Sequence, residues 1–258
     1  MEKIRLGGMA LQNGVLVQGP TSWAAAVRDG AGEIHVATGR KRRLAPGVQT
    51  PFVRGPLRLA ESFVVLPDVR RALPQARFAF ERPVIAVAMV ASSLVASVAR
   101  RSRLPLLPRE TVVAIASIVP AAMALRGGEL ASYHGAEHVS IGEYETGAPA
   151  AKEHERCGSH LVGPMMVTSA AAGVLAQKAP PEHRRAAQLA GAVGAVGVAV
   201  EIFGWAGRHP GSRIARLLSR PGYELQHRLA TADPSPEQLE VAEAALAACL
   251  EAEGAAPG

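Results

Sequence analysis

Four stretches of this chain carry almost no charge, and they restrict its fold more than anything else in it: residues 84–99, 111–125, 158–176 and 186–206. The first contains no ionisable side chain and stops at Arg100, Arg101 and Arg103. The second follows an Arg- and Pro-rich link and is expected to be broken at Pro120. The third holds only His160 as a titratable group, and the fourth only Glu201. A spanning helix needs about 17 to 25 predominantly apolar residues, so each run lies near or just below that length. As a pair, the first two predict a helical hairpin that enters the bilayer as short or re-entrant elements. In the fourth, Gly191, Gly194 and Gly197 recur at every third position, which lets neighbouring helices approach closely. Four such segments predict an integral membrane protein; a soluble helical domain with Ala-rich core helices is the alternative.

Composition agrees with concentrated apolar runs. Aromatics are only 4% and charged residues 19%, yet the mean hydropathy is +0.13. The formal charge of +6 points to an acidic partner, but the basic residues form short clusters that are not interleaved with aromatics, so membrane lipids are expected and nucleic acid is not. Arg40-Lys41-Arg42-Arg43 is one such cluster, read as a solvated linker or as a contact for anionic headgroups. Cys157 and Cys249 are the only cysteines, which is no disulfide framework and fits a reducing compartment. The opening MEKIRLGGMALQ lacks an apolar core of signal-peptide type, so no cleaved export sequence is expected.

Before the first run, residues 6–38 alternate short apolar stretches with turn signals at Asn13-Gly14, Gly19-Pro20 and Asp29-Gly30. Asn-Gly and Asp-Gly supply the positive φ angles of tight hairpins, so a small antiparallel β unit is predicted, with Gly7-Gly8 read as a turn, since no GxGxxG or Walker pattern follows to support the alternative of a phosphate loop. Residues 56–66 read as a short helix carrying Glu61. After the last run, residues 213–229 read as an amphipathic stretch broken at Pro221-Gly222. Ser235, Pro236 and Gln238 then predict a capped helix with Leu239, Ala242, Leu246, Cys249 and Leu250 on its core face.

The chemistry is concentrated between the second and third runs. Tyr133-His134-Gly135-Ala136-Glu137-His138 has the form H-x-x-E-H, which sets two imidazoles on one helical face with a carboxylate beside the second. In the inverted zincin pattern both histidines bind zinc, the glutamate acts as general base on water, and a distant carboxylate completes the shell. His154 and Cys157 share the spacing of many zinc ligand pairs, and Glu201 is an ionisable residue deep in an apolar run. The bland readings are two surface histidines at a helix start and a carboxylate hydrogen-bonded for packing alone.

These residues resemble the DUF1385 or YqhQ-like family of bacterial membrane proteins, described as predicted metal-dependent enzymes. Gly7-Gly8 with Asn13-Gly14-Val15 and Gly19-Pro20 looks like its N-terminal signature, and Arg54-Gly55 with Glu61-Ser62 like its next block. The YHGAEH stretch, Tyr144-Glu145 and His154 with Arg156-Cys157-Gly158 look like its long central signature; Glu201 and residues 221–226 look like its last blocks. Asn13 stands where the family usually has Glu, and Val139 where it usually has Lys.

The expected fold class is α+β: a mainly α-helical membrane protein with about four short apolar helices and a small N-terminal antiparallel β unit. Residues 1–82 form the β-rich cytoplasmic unit, 83–207 the membrane helices with a motif loop at 126–157, and 208–258 an amphipathic helical tail. The expected site is a divalent metal, zinc, held by His134, His138, His154, Cys157 and Glu201, with Glu137 catalytic and Tyr133, Glu145 and Arg156 as further candidates. One reading is a metal-dependent hydrolase of the bacterial cytoplasmic membrane, multi-pass, with the motif on the cytoplasmic side and a lipid-linked or membrane-proximal substrate. The other is a non-enzymatic scaffold or assembly factor in which the cluster is a structural metal or polar site.

Overall fold

A computed structural model of the protein describes residues 3–44, 46–125 and 128–255. Residues 126 and 127, where the motif loop was expected to start, lie outside these, as do residues 1 and 2 of the β unit and 256–258 of the tail.

The described N-terminal residues form an antiparallel meander, β1 (Gly7–Leu11), β2 (Gly14–Gln18), β3 (Ser22–Arg28) and β4 (Ile34–Arg40), in sheet order β1-β2-β3-β4. The hairpin is where the sequence predicts it, but its chemistry differs. Leu11 pairs with Gly14, so Gln12 and Asn13 form the turn, and neither they nor Gly14 takes a positive φ. Gly14 is needed for close approach instead: a Cβ there would lie 2.0 Å from the Ala26 carbonyl oxygen. Asn13 acts as a tether. Its amide donates to the Arg28 and Gln75 carbonyls at 2.9 and 3.1 Å and accepts from the Arg77 N–H at 2.9 Å. In the second turn it is Gly32, not Gly30, that has φ +90°.

Both faces of this sheet are covered, because strand residues alternate sides and both sets are apolar. Val15, Val17, Ala24 and Ala26 pack against α5 (Glu129–Thr146) and α9 (Pro236–Glu253). Leu16, Trp23, Ala25 and Val27 pack on the other side against Val65, Val69, Leu73 and Phe78. Those side chains come from α2 (Leu66–Ala72), from Val65, which joins it to α1 (Arg54–Val64), and from the segment after it. The motif segment is therefore mostly a helix in the core and not a loop; only residues 147–157 are irregular. The final helix is no free tail either: Ser235 caps it as expected, its hydroxyl accepting from the Gln238 N–H, and Cys249 is fully buried among its apolar residues.

Among the described residues, four helices are long and apolar enough to cross a membrane. They are α3 (Pro83–Arg101), α4 (Leu106–Leu125), α6 (Val162–Gln177), extended by a 3-10 turn at Gly158–Leu161, and α7 (Arg184–Arg208). The hairpins α3/α4 and α6/α7 each pack along their length. On α3, Val87, Val90, Leu94 and Val98 are all exposed at one-turn spacing, an apolar stripe suited to lipid tails. Pro120 does not break α4, which continues to Leu125; in lipid an interrupted backbone finds no water to bond, so helix is kept where it can be. Likewise α8 (Arg213–Leu225) runs through Pro221 and passes into a π turn at Gln226–Ala230. There Gly222 lets α8 lie against the backbone of Ser159 and His160. Of the three spaced glycines, Gly191 faces Ala172 and Gly197 faces the Phe52 carbonyl, but Gly194 faces open space.

Candidate metal centre

Helix α5 carries His134, Glu137 and His138 on one face, as the spacing requires. Gly135 and Gly142 line two other approaches: a Cβ on the first would meet the Ala232 carbonyl oxygen at 2.1 Å, and on the second the Ala150 side chain at 2.7 Å. The chain thus wraps α5 closely on both sides, and residues 147–157 fold back so that Cys157 reaches the histidine face.

Each imidazole is oriented by a backbone carbonyl. His134 Nδ1 lies 2.8 Å from the Ala230 oxygen and His138 Nδ1 lies 2.5 Å from the Lys152 oxygen. A carbonyl only accepts, so both Nδ1 atoms carry a proton, and in the neutral tautomer that this selects, each Nε2 presents the lone pair. Cys157 Sγ is 3.5 Å from His134 Nε2 and donates to it. Ligand atoms of His134, His138 and Cys157 all lie within 4.8 Å of one another, a group that could hold a metal ion. His138 Nε2 is buried and has no hydrogen-bond partner among the described residues, which is costly for a polar atom unless something binds it. A donor set of two imidazoles and a thiolate suits zinc.

Glu137 adjoins this group, its Oε2 3.9 Å from His134 Nε2. A side chain on Gly8 would overlap the Glu137 carboxylate, whose Oε1 lies 2.1 Å from the position of its Cβ, so Gly8 in β1 serves as the wall on which Glu137 rests. Gly8 is thus a close-approach residue within a strand and not the expected turn. Burial pushes the Glu137 carboxyl up to about 7, opposed by His134 and assisted by Cys157. Burial also pushes His138 down to about 3, helped by His134 and opposed by the Lys152 carbonyl, and it raises the Cys157 thiol. At neutral pH His138 is an unprotonated donor.

These shifts have opposite consequences for stability. Glu137 holds a proton in the folded state between about 4.5 and about 7 that it has lost when unfolded, so the metal-free protein loses roughly 3 kcal/mol as pH rises through that window. His138 lacks a proton when folded that it gains unfolded below 6.5, so its contribution is lost as pH falls from 6.5 towards about 3. A cation beside Glu137 and Cys157 favours their charged forms and releases their protons. The rise in melting temperature caused by zinc in detergent is therefore expected to be larger at pH 8 than at pH 6. Equal shifts at both would contradict the arrangement.

The other expected residues are held differently. His154 lies close, its ring 5.5 Å from that of His138, but its Nε2 donates to Glu145 at 3.3 Å and its Nδ1 accepts from the Arg156 N–H at 3.3 Å. Arg156 also grips Glu145, so these three form one polar cluster beside the metal group. Tyr133 is buried in the core between α5 and the sheet. Glu201 is not brought to the group. Its carboxylate is bound by Arg54 Nε and Nη2 at 2.9 and 2.8 Å, with the Phe52 N–H at 3.3 Å, and so docks the start of α1 on α7. A second acidic and histidine group, Asp29, Glu33 and His35, is accounted for by its own turn: Asp29 accepts from the Ala31 and Glu33 N–H groups and from His35.

Sequence reasoning missed the residue that sets the 147–157 segment. Gln226 is fully buried; its Oε1 accepts from the His154 N–H at 2.8 Å and its Nε2 reaches Ser159 Oγ at 2.7 Å and His160 Nε2 at 3.1 Å. The signal available was a long polar side chain closing a signature block that begins at Pro221-Gly222.

Fold and site together define a mainly helical protein in which four helices among the described residues are apolar enough to cross a membrane, with a histidine and cysteine group where its sheet-containing core meets them. Residues 128–252 match the family described as "Protein of unknown function (DUF1385)", which supports assignment of that region to the DUF1385 family. Comparison with curated proteins and with solved structures produced no match.

Proposed function

We propose that this is a multi-pass protein of the bacterial cytoplasmic membrane that holds a divalent metal, zinc, through His134, His138 and Cys157 and acts as a metal-dependent hydrolase on a lipid-linked or membrane-proximal substrate. The carrying observation is the convergence of two oriented Nε2 lone pairs and a sulfur within 4.8 Å, one of those nitrogens otherwise unpartnered. Three protein donors leave a fourth position, as catalytic zinc sites do, whereas structural ones fill all four. When bound, such an ion acts as a Lewis acid and lets water serve as a nucleophile near neutral pH. Glu137, raised to about 7 and fixed against Gly8, can accept and return a proton at that pH, the role of a general base. Lys152 and Ala230 carbonyls hold the imidazoles, and the Glu145, His154 and Arg156 cluster braces the segment that carries Cys157. A cytoplasmic position for the site is supported by the thirteen Lys and Arg residues among residues 1–82 and by two free thiols.

The test needs no substrate. Zinc content and X-ray absorption of the detergent-purified protein are expected to give one sulfur and two nitrogen donors from the protein with one oxygen completing the shell. A fourth protein donor, for which His154 is the nearest imidazole, would turn the reading to a structural site in a scaffold, and absence of stoichiometric metal would end it.

A further inference from the structure

Gly8 borders a second feature. On its side of β1 the sheet, the segment after β4 and helix α1 enclose a cleft of about 510 Å³, within the range of small-molecule sites. Its lining includes Arg5, Lys41, Arg43, Arg54 and Arg58, against a single carboxylate, Glu61. Few of these cations are neutralised. Arg54 is committed to Glu201, and Glu61 accepts from the Leu44 N–H at 2.9 Å. Lys41 meets only the Gly19 carbonyl at 3.2 Å and Arg43 only that of Pro20 at 3.4 Å. Arg5 and Arg58 have no hydrogen-bond or ion-pair partner for their side chains among the described residues. Lys41 is half-buried, and burial lowers its affinity for a proton, an effect that the nearby Glu61 carboxylate opposes.

The cleft is also well placed. Helix α1 docks on α7 through Gly55 against Val200 and through the Arg54–Glu201 pair, which sets the cleft beside one of the helices apolar enough to cross a membrane. Phe52, Val53, Leu59 and Phe63 remain exposed on and just before α1. Gly8 belongs both to the cleft wall and to the rest for Glu137.

We infer that this cleft binds a phosphate or pyrophosphate group, from a lipid headgroup or a free phosphorylated molecule, and so anchors the substrate beside the metal centre. Its role as substrate anchor rests on the hydrolase reading; the binding itself does not. Guanidinium groups recognise phosphate oxygens through paired charge-assisted hydrogen bonds, and an unpaired set lining a concave site is their usual arrangement.

Calorimetric titration of the metal-stripped, detergent-solubilised full chain tests this, with inorganic pyrophosphate in one arm and dihexanoyl phosphatidic acid against dihexanoyl phosphatidylcholine in another. Binding is expected in the phosphatidic acid arm, and each arginine removed in Arg5→Gln and Arg58→Gln should weaken it by roughly tenfold or more. Binding of pyrophosphate as well assigns the site to phosphate chemistry of either source; binding of phosphatidic acid alone assigns it to a lipid headgroup. No preference over phosphatidylcholine together with no pyrophosphate binding, or affinities unchanged in the double variant, overturns the inference. His138→Ala separates the two readings, because it should lose zinc and keep the anion.

Discussion

Replacing His138 with alanine is expected to abolish stoichiometric zinc binding. Loss of an outer partner of a ligand already costs about 10 to 100-fold in metal affinity, so loss of one donor of three should exceed the upper figure. His138 is the donor with the strongest structural commitment: it is 1% exposed, its Nδ1 proton is spent on Lys152, and its Nε2 has no other use among the described residues. His154→Ala and Glu201→Gln are the informative comparisons. In both, the hydrogen bonds affected run to Glu145 and the Arg156 N–H or to Arg54 and not to the group of three, so zinc affinity should stay within about tenfold, in line with an outer contact at most. Competition titration against a chelator, with metal content measured on each purified variant, reads the difference. If His154→Ala strips the metal as thoroughly as His138→Ala does, the site is a closed four-donor centre.

Gly135→Ala should destabilise the protein, against the ordinary expectation for a helix interior. Alanine gains about 1 kcal/mol over glycine in helix propensity. The new Cβ, however, would sit 2.1 Å from the Ala232 carbonyl oxygen and 3.5 Å from Pro234. That strand of backbone is not free to retreat, because the Ala232 N–H donates to the Ala131 carbonyl at 2.9 Å and Thr231 is bonded to Gln226. Overpacking against a fixed backbone costs about 1–3 kcal/mol and occasionally more, enough to outweigh the propensity gain. The displaced segment includes Ala230, whose carbonyl orients His134, so zinc affinity should fall with the melting temperature. Gly194→Ala is the control. Its Cβ meets nothing within 4 Å, so the same propensity gain should appear unopposed. Equal thermal stability of the two variants would show that Ala232 does not press on α5.

Gly135 also illustrates what single-sequence reading misjudges. As a helix residue it counts against the H-x-x-E-H helix, yet the helix is present because the glycine accommodates a crossing segment nearly a hundred residues further along. Gly8 and Gly14 repeat the lesson: both look like turn glycines, and both are strand positions where a carboxylate or a carbonyl comes too close for a Cβ. Pro120 and Pro221 look like breaks and are carried within helices. In each case the local rule concerns the residue and its immediate neighbours, while the outcome was set by a partner distant in sequence.

Where the governing physics is local, the residues alone sufficed. Runs with almost no charge, near or just below spanning length, became the four apolar helices, alternating strands became the meander, Ser235 and Gln238 capped the last helix, and i, i+4 spacing put His134 and His138 on one face. Five metal donors were expected, four from spacing and Glu201 from its place in an apolar run, and the folded chain gathers His134, His138 and Cys157 while giving His154 to Glu145 and Glu201 to Arg54. That selection could not be read from the chain because it depends on where residues 147–157 are pinned by Gln226 and where α1 docks on α7. Both are long-range contacts, and no periodicity in the sequence encodes their partners.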